Sequence, residues 1–185
     1  MKALAEKGVE KWILWGIPVL FAVGSAVHFA YGFSGRAFVV GLFFPINESV
    51  WEHLKLVLWP MVLWWCGGYF YFARRGKGVD APAWFMGALE AELVAQSTIL
   101  LLYYFVQGAF GFHALWLDIG MFFLGLVLGQ LVGLWQYRRG CWLSWMAPLL
   151  LLAGMALFFV VMTLAPPELP LFLDANTGSR GIFEI

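Results

Sequence analysis

Apolar residues run almost unbroken through five stretches of this chain, at about 12–33, 51–73, 83–110, 114–137 and 141–165. Each stretch stops at glycine, proline or arginine: Ser34-Gly35-Arg36, Arg74-Arg75-Gly76, Gly111, Arg138-Arg139-Gly140 and Pro166-Pro167. A helix of about 20 apolar residues crosses a hydrocarbon layer roughly 30 Å thick, so each run is long enough to span. In lipid the backbone must satisfy its own polar groups, which for such runs means an α-helix. The pattern predicts an all-α polytopic integral membrane protein, one domain over 1–185 with five transmembrane helices. Residues 37–46 are apolar but too short to cross and end in a proline-containing turn, which suits a re-entrant or interfacial segment before span two. Residues 166–185 carry Pro166, Pro167 and Pro170 and form a non-helical tail.

Composition agrees. The chain is 63% hydrophobic and 12% charged, with mean hydropathy +0.83, whereas soluble domains carry about 25% charged residues. Zero formal net charge argues against a nucleic-acid partner, because phosphate backbones require a basic surface. Lys2, Glu6, Lys7, Glu10 and Lys11 precede a span-length run with no small-residue cleavage site, so the first helix reads as uncleaved. Cys66 and Cys141 make no framework and read as free thiols.

Charge sets the expected orientation. Lys2, Lys7, Lys11, Arg74, Arg75, Lys77, Arg138 and Arg139 gather at one side, against Arg36, Lys55 and Arg180 at the other. Basic loops stay in the cytoplasm, so the N-terminus is expected inside and the tail outside. Trp12, Trp15, Trp84, Trp135, Trp142 and Trp145 then fall near inner boundaries, and Trp51 and Trp116 near outer ones, as aromatic belts do. Gly125, Gly129 and Gly133 repeat every four residues, giving a face for close helix packing within the chain or for a homodimer.

Ionisable side chains in a membrane are costly, and here they concentrate at one end. His28 lies near the end of span one. Glu48, Glu52, His53 and Lys55 open span two, and His113 and Asp118 open span four. Ser49-x-x-Glu52 also fits a capping box, with Asn47 as an alternative cap. Glu48, Glu52 and Lys55 lie within about 60° of one another on a helix, whereas His53 is about 100° from Glu52, so they do not all face one ion. Imidazoles with a carboxylate are a donor set for a divalent transition metal such as zinc. His28, His53, His113 and Asp118 are the expected ligands. Glu48, Glu52, His53 and Asp118 are the expected catalytic groups, a glutamate acting as acid or base. On span three, Glu90 and Glu92 with Gln96 suggest a proton or cation relay instead. Asp174-x-Asn176-x-Gly178 lacks most ligands of a calcium loop and reads as an Asx-turn.

His28 with Tyr31, the run Asn47-Glu48-Ser49-Val50-Trp51-Glu52-His53-Leu54-Lys55 and the tail from Pro170 to Gly181 carry a resemblance. Over nearly the whole chain the sequence resembles an uncharacterised family of small prokaryotic multi-span membrane proteins, a domain of unknown function. The resemblance implies a multi-pass fold in a prokaryotic plasma (inner) membrane and brings no activity. From the residues, the first functional expectation is a membrane-embedded hydrolase, metal-dependent, acting on a lipid-like or small substrate from the extracytoplasmic side. The alternatives are a proton- or ion-coupled transporter and a non-catalytic binding or assembly protein.

Overall fold

The computed structural model describes residues 2–76, 78–111, 114–174 and 176–183. Among them the regular structure is entirely helical: α1 (Lys2–Val27), α2 (Ala30–Phe33), α3 (Phe38–Phe43), α4 (Val50–Arg74), α5 (Ala81–Phe110), α6 (Leu115–Arg139), α7 (Met146–Leu164) and a single 3₁₀ turn at Pro170–Phe172. Five of these helices are long and apolar enough to cross a membrane.

The first apolar run does not stay helical to its end. It breaks after Val27, turns at His28 and Phe29, and resumes as the single turn α2. The fifth helix starts at Met146, so Cys141–Trp145 approach it without helical structure. Residues 37–46 form the short α3 and an extended exit through Phe44 and Pro45.

The bundle is built on one close seam. Cβ atoms added at Gly125, Gly129 and Gly133 would lie 2.9, 2.5 and 2.8 Å from the backbone oxygens of Ala95, Ala91 and Gly87. Those contacts pair α5 and α6 antiparallel, with their backbones near touching, which only glycine permits. The glycine face is therefore covered by α5 of the same chain. Trp65 and Trp84 close one side of the seam in an edge-to-face pair with centroids 5.0 Å apart, and Trp84 Nε1 donates to the Trp65 carbonyl at 2.9 Å.

The tryptophans divide by role. Trp116, Trp135, Trp142 and Trp145 are exposed near helix ends, as a belt requires, whereas the exposed Trp15 sits midway along α1. Trp84 and Trp51 instead belong to the core, and Trp12 stacks on Trp64 with centroids 4.4 Å apart. An indole near a span boundary faces protein when a neighbouring helix supplies a partner.

The tail folds back over the end of the bundle where α4 begins. Phe172 packs on Trp51 with centroids 4.8 Å apart, Trp51 stacks on Phe159 of α7, and Ile182 N donates to Thr163 O at 3.0 Å. Asp174 forms the expected Asx-turn, accepting from Asn176 N at 2.8 Å and from Thr177 Oγ1 at 2.9 Å.

Candidate functional site

The end of the bundle where α1 stops and α4 starts is organised by a helix cap. Ser49 is the N-cap of α4: its hydroxyl accepts from Glu52 N at 3.3 Å, while Asn47 Oδ1 accepts from Ser49 N at 3.0 Å. Of the two caps the sequence allowed, Ser49 is used. This turn leaves Glu48 outside the helix with half its side chain exposed. It also aims the Ser49 carbonyl along the first turn of α4, where it accepts from His53 Nδ1 at 2.9 Å. That contact assigns the Nδ1 proton and turns Nε2 toward His28 and Glu48.

His28 reaches the same point from α1. One turn earlier, a Cβ at Gly24 would lie 2.8 Å from Leu56 O of α4 and 2.5 Å from Phe122 Cζ of α6. The missing side chain draws α1, α4 and α6 together just beneath His28, His53 and Asp118. In the resulting geometry His28 Nε2 is 3.2 Å from His53 Nε2. Glu48 Oε2 lies 3.3 Å from His53 Nε2 and 3.7 Å from His28 Nε2. Among the described residues, these three form a group whose ligand atoms all fall within 4.8 Å of one another.

Electrostatics set the charge of the loop half of the group. The hydrogen bond to His53, opposed by partial burial, holds the Glu48 carboxyl below its ordinary value of 4.5. Burial, reinforced by the neighbouring His53, holds His28 below its ordinary 6.5. A carboxylate and a neutral imidazole are the forms that bind a metal.

The other expected groups are placed elsewhere. Glu52 turns inward and forms a buried ion pair, its Oε2 accepting from Lys55 Nζ at 2.7 Å and from Ile46 N at 3.1 Å. Lys55 also donates to Gly41 O of α3 at 2.9 Å, and Thr163 of α7 donates to Glu52 Oε1 at 3.4 Å. The pair thus pins the 37–46 segment and α7 to α4 instead of joining the imidazoles. Asp118, in the first turn of α6, lines a small cleft with Tyr103 and Gln107, and its charge acts on His53 and Tyr103. His113 lies outside the described residues. Glu92 is fully buried and accepts from Gln96 at 2.6 Å, whereas Glu90 is only half-buried.

Three contributors went unnoticed in the sequence. Thr163 gives no signal, being one more small residue in an apolar helix. Gly24 could have been suspected only from its spacing of four before His28. Gln130, a lone amide in the middle of span four, was legible and is fully buried.

The fold and this triad define a five-span helical membrane protein with a histidine–carboxylate group at one end of its bundle. The chain belongs to the Family of unknown function (DUF6512), whose model matches residues 1–182. No curated protein and no solved structure matches it.

Proposed function

We propose that this protein is a membrane-embedded, metal-dependent hydrolase whose centre is His28, Glu48 and His53. The observation that carries the reading is the convergence of two Nε2 atoms and one carboxylate oxygen on a single point. Zinc–nitrogen bonds of about 2.0–2.1 Å in tetrahedral geometry place neighbouring ligand atoms about 3.3 Å apart. The three separations here are 3.2, 3.3 and 3.7 Å. The His53 Nδ1–H bond to the Ser49 carbonyl is the kind of outer contact that orients metal-binding histidines.

Three protein ligands leave a fourth position for water, on the side where Glu48 is half exposed. A zinc ion held by His28, Glu48 and His53 would lower the pKa of a bound water to about 7 and so supply the nucleophile for hydrolysis of an ester. Asp118, whose charge acts on His53 from α6, is the group we assign to carry the proton between water and leaving group. The ring of exposed apolar residues on α2 and α3, including Phe33, Phe38 and Val39, favours a substrate with a lipid-like part. The charge bias of the loops supports an extracytoplasmic side for the site.

Metal analysis of the full chain purified in detergent tests the centre. Near-stoichiometric zinc, lost in His53→Ala, supports it, and equal zinc uptake by wild type and His53→Ala overturns it. Acyl or phosphoryl release from phospholipid vesicles, abolished by Glu48→Gln, tests the activity; release unchanged by that substitution removes the hydrolase assignment.

A further inference from the structure

A second polar group lies deep in the bundle, away from the surface triad. Glu92 on α5 is fully buried; Oε1 accepts from Gln96, and Oε2 has no partner. Gln130 on α6 is also fully buried, and both its amide oxygen and its amide nitrogen are unpartnered. Unpartnered buried polar atoms cost roughly 1–3 kcal/mol each, and native structures hold few of them.

The seam places the two side by side. Ala91 and Gly129 are contact partners, and Glu92 and Gln130 each follow one of them by one position. In an antiparallel pair, that step of about 100° carries both side chains to the same side of the seam. On that side stand α1 and α4: a Cβ at Gly16 would lie 2.4 Å from Gln130 Nε2 and 2.7 Å from Trp64 Nε1. Trp64 Nε1 is itself buried without an acceptor. Pro18 interrupts the α1 ladder close by, lacking the amide hydrogen that the helix would use one turn back. Side chains of α4, α5 and α6 therefore carry unmet donors and acceptors beside the gap left by Gly16 of α1.

Full charges stand off from this layer. On α6, Arg138 and Asp118 are about 12 and 18 Å along the helix from Gln130. On α4, Lys55 and Arg74 are about 13–15 Å from Trp64, and the thiol of Cys66 is the nearest titratable group. On α1, Glu10 and Lys11 lie about 7–9 Å from Gly16, and Glu10 is paired to Arg138 at 2.8 Å. Glu90 on α5 points to the opposite face, and α7 carries no ionisable residue. With no counter-charge at hand, the bare carboxylate has only hydrogen-bond donors for company.

We propose that Glu92, Gln130 and Trp64 form a proton-binding site inside the bundle. Glu92 Oε2 takes up one proton and forms an O–H bond. The hydroxyl donates to a single enclosed water that Gln130 and the Trp64 N–H also hold. Such a water accepts from the Glu92 hydroxyl and the Trp64 N–H and donates to Gln130 Oε1, as buried waters bridging polar groups do. The site does not depend on the metal reading and serves proton-coupled chemistry rather than hydrolysis.

Infrared spectroscopy of the full chain in lipid bilayers tests it. The carbonyl stretch of a protonated carboxylic acid is expected, shifting in D₂O and disappearing reversibly at high pH. It is lost in Glu92→Gln and moves in frequency in Gln130→Leu. A missing band, a band that neither exchanges nor titrates, or one removed by sodium at constant pH overturns the proposal. Should Glu92→Gln not fold, the Gln130→Leu shift decides alone: an unmoved band overturns the site.

Discussion

His28 Nε2 and His53 Nε2 lie 3.2 Å apart, though the residues are 25 positions apart, one in the turn after α1 and the other in the first turn of α4. Two nitrogen lone pairs repel at that distance unless a proton or a cation sits between them. His53 already commits its Nδ1 proton to Ser49 O at 2.9 Å. Without metal, a proton on one of the two Nε2 atoms bridges them; carried by His28, it leaves Nδ1 an acceptor, and that atom is buried and unpartnered. A cation between the rings lets His28 carry its proton on Nδ1, as metal-bound histidines do.

Removal of either imidazole is therefore expected to cost more metal affinity than the roughly 10–100-fold typical of losing an outer contact. Competition titration with a chromophoric zinc chelator measures it. Ser49→Ala keeps the carbonyl that orients His53 and should change affinity little, while losing about 1 kcal/mol of stability from the missing cap.

Acid is expected to remove two contributions to stability in turn. His28 is held below its ordinary 6.5 and Glu48 below its ordinary 4.5, so the folded chain binds fewer protons than the unfolded chain. Both contributions are complete above the ordinary values and are lost as pH falls through the lowered ones. Unfolding in detergent followed against pH should show the share of stability from His28 lost only below 6.5 and that from Glu48 only below 4.5. A stability difference between His28→Ala and wild type that begins to change above 6.5 contradicts the placement of His28.

The buried Glu52–Lys55 pair makes an opposite kind of prediction. Replacing one partner strands the other charge in the bundle, and Lys55→Met or Glu52→Leu alone should destabilise by about 3–5 kcal/mol. The double substitution should recover most of that loss, since similar apolar volumes fill the site without a charge. Thermal unfolding in detergent reads both. Metal affinity in the double variant should stay near that of the wild type, because Glu52 points away from the triad.

At the seam, Gly129→Leu is expected to force α5 and α6 apart, because a Cβ there would already lie 2.5 Å from Ala91 O. Overpacking of this kind costs about 1–3 kcal/mol or more, measurable as a lower unfolding temperature. An unchanged melting profile would mean that the helices do not meet at these glycines.

The chain itself determined a great deal. Five apolar runs fixed the helices because a bilayer leaves the backbone no other way to satisfy its polar groups. Ser49 and Glu52 announced the cap, the Gly125–Gly133 repeat announced the seam, and polar crowding near His28 and Glu48–Lys55 marked the end that matters. Local rules cover these features, since each depends on neighbours within a turn or two. Only the tertiary structure decided which side chains meet. Glu48 and Glu52 sit four residues apart and look alike in sequence. One extends from the loop toward two imidazoles, and the other is claimed by Lys55, Ile46 and Thr163. The close approach at Gly24 and the tail that brings Thr163 and Ile182 together are long-range contacts. No periodicity encodes them, because they depend on how whole helices pack.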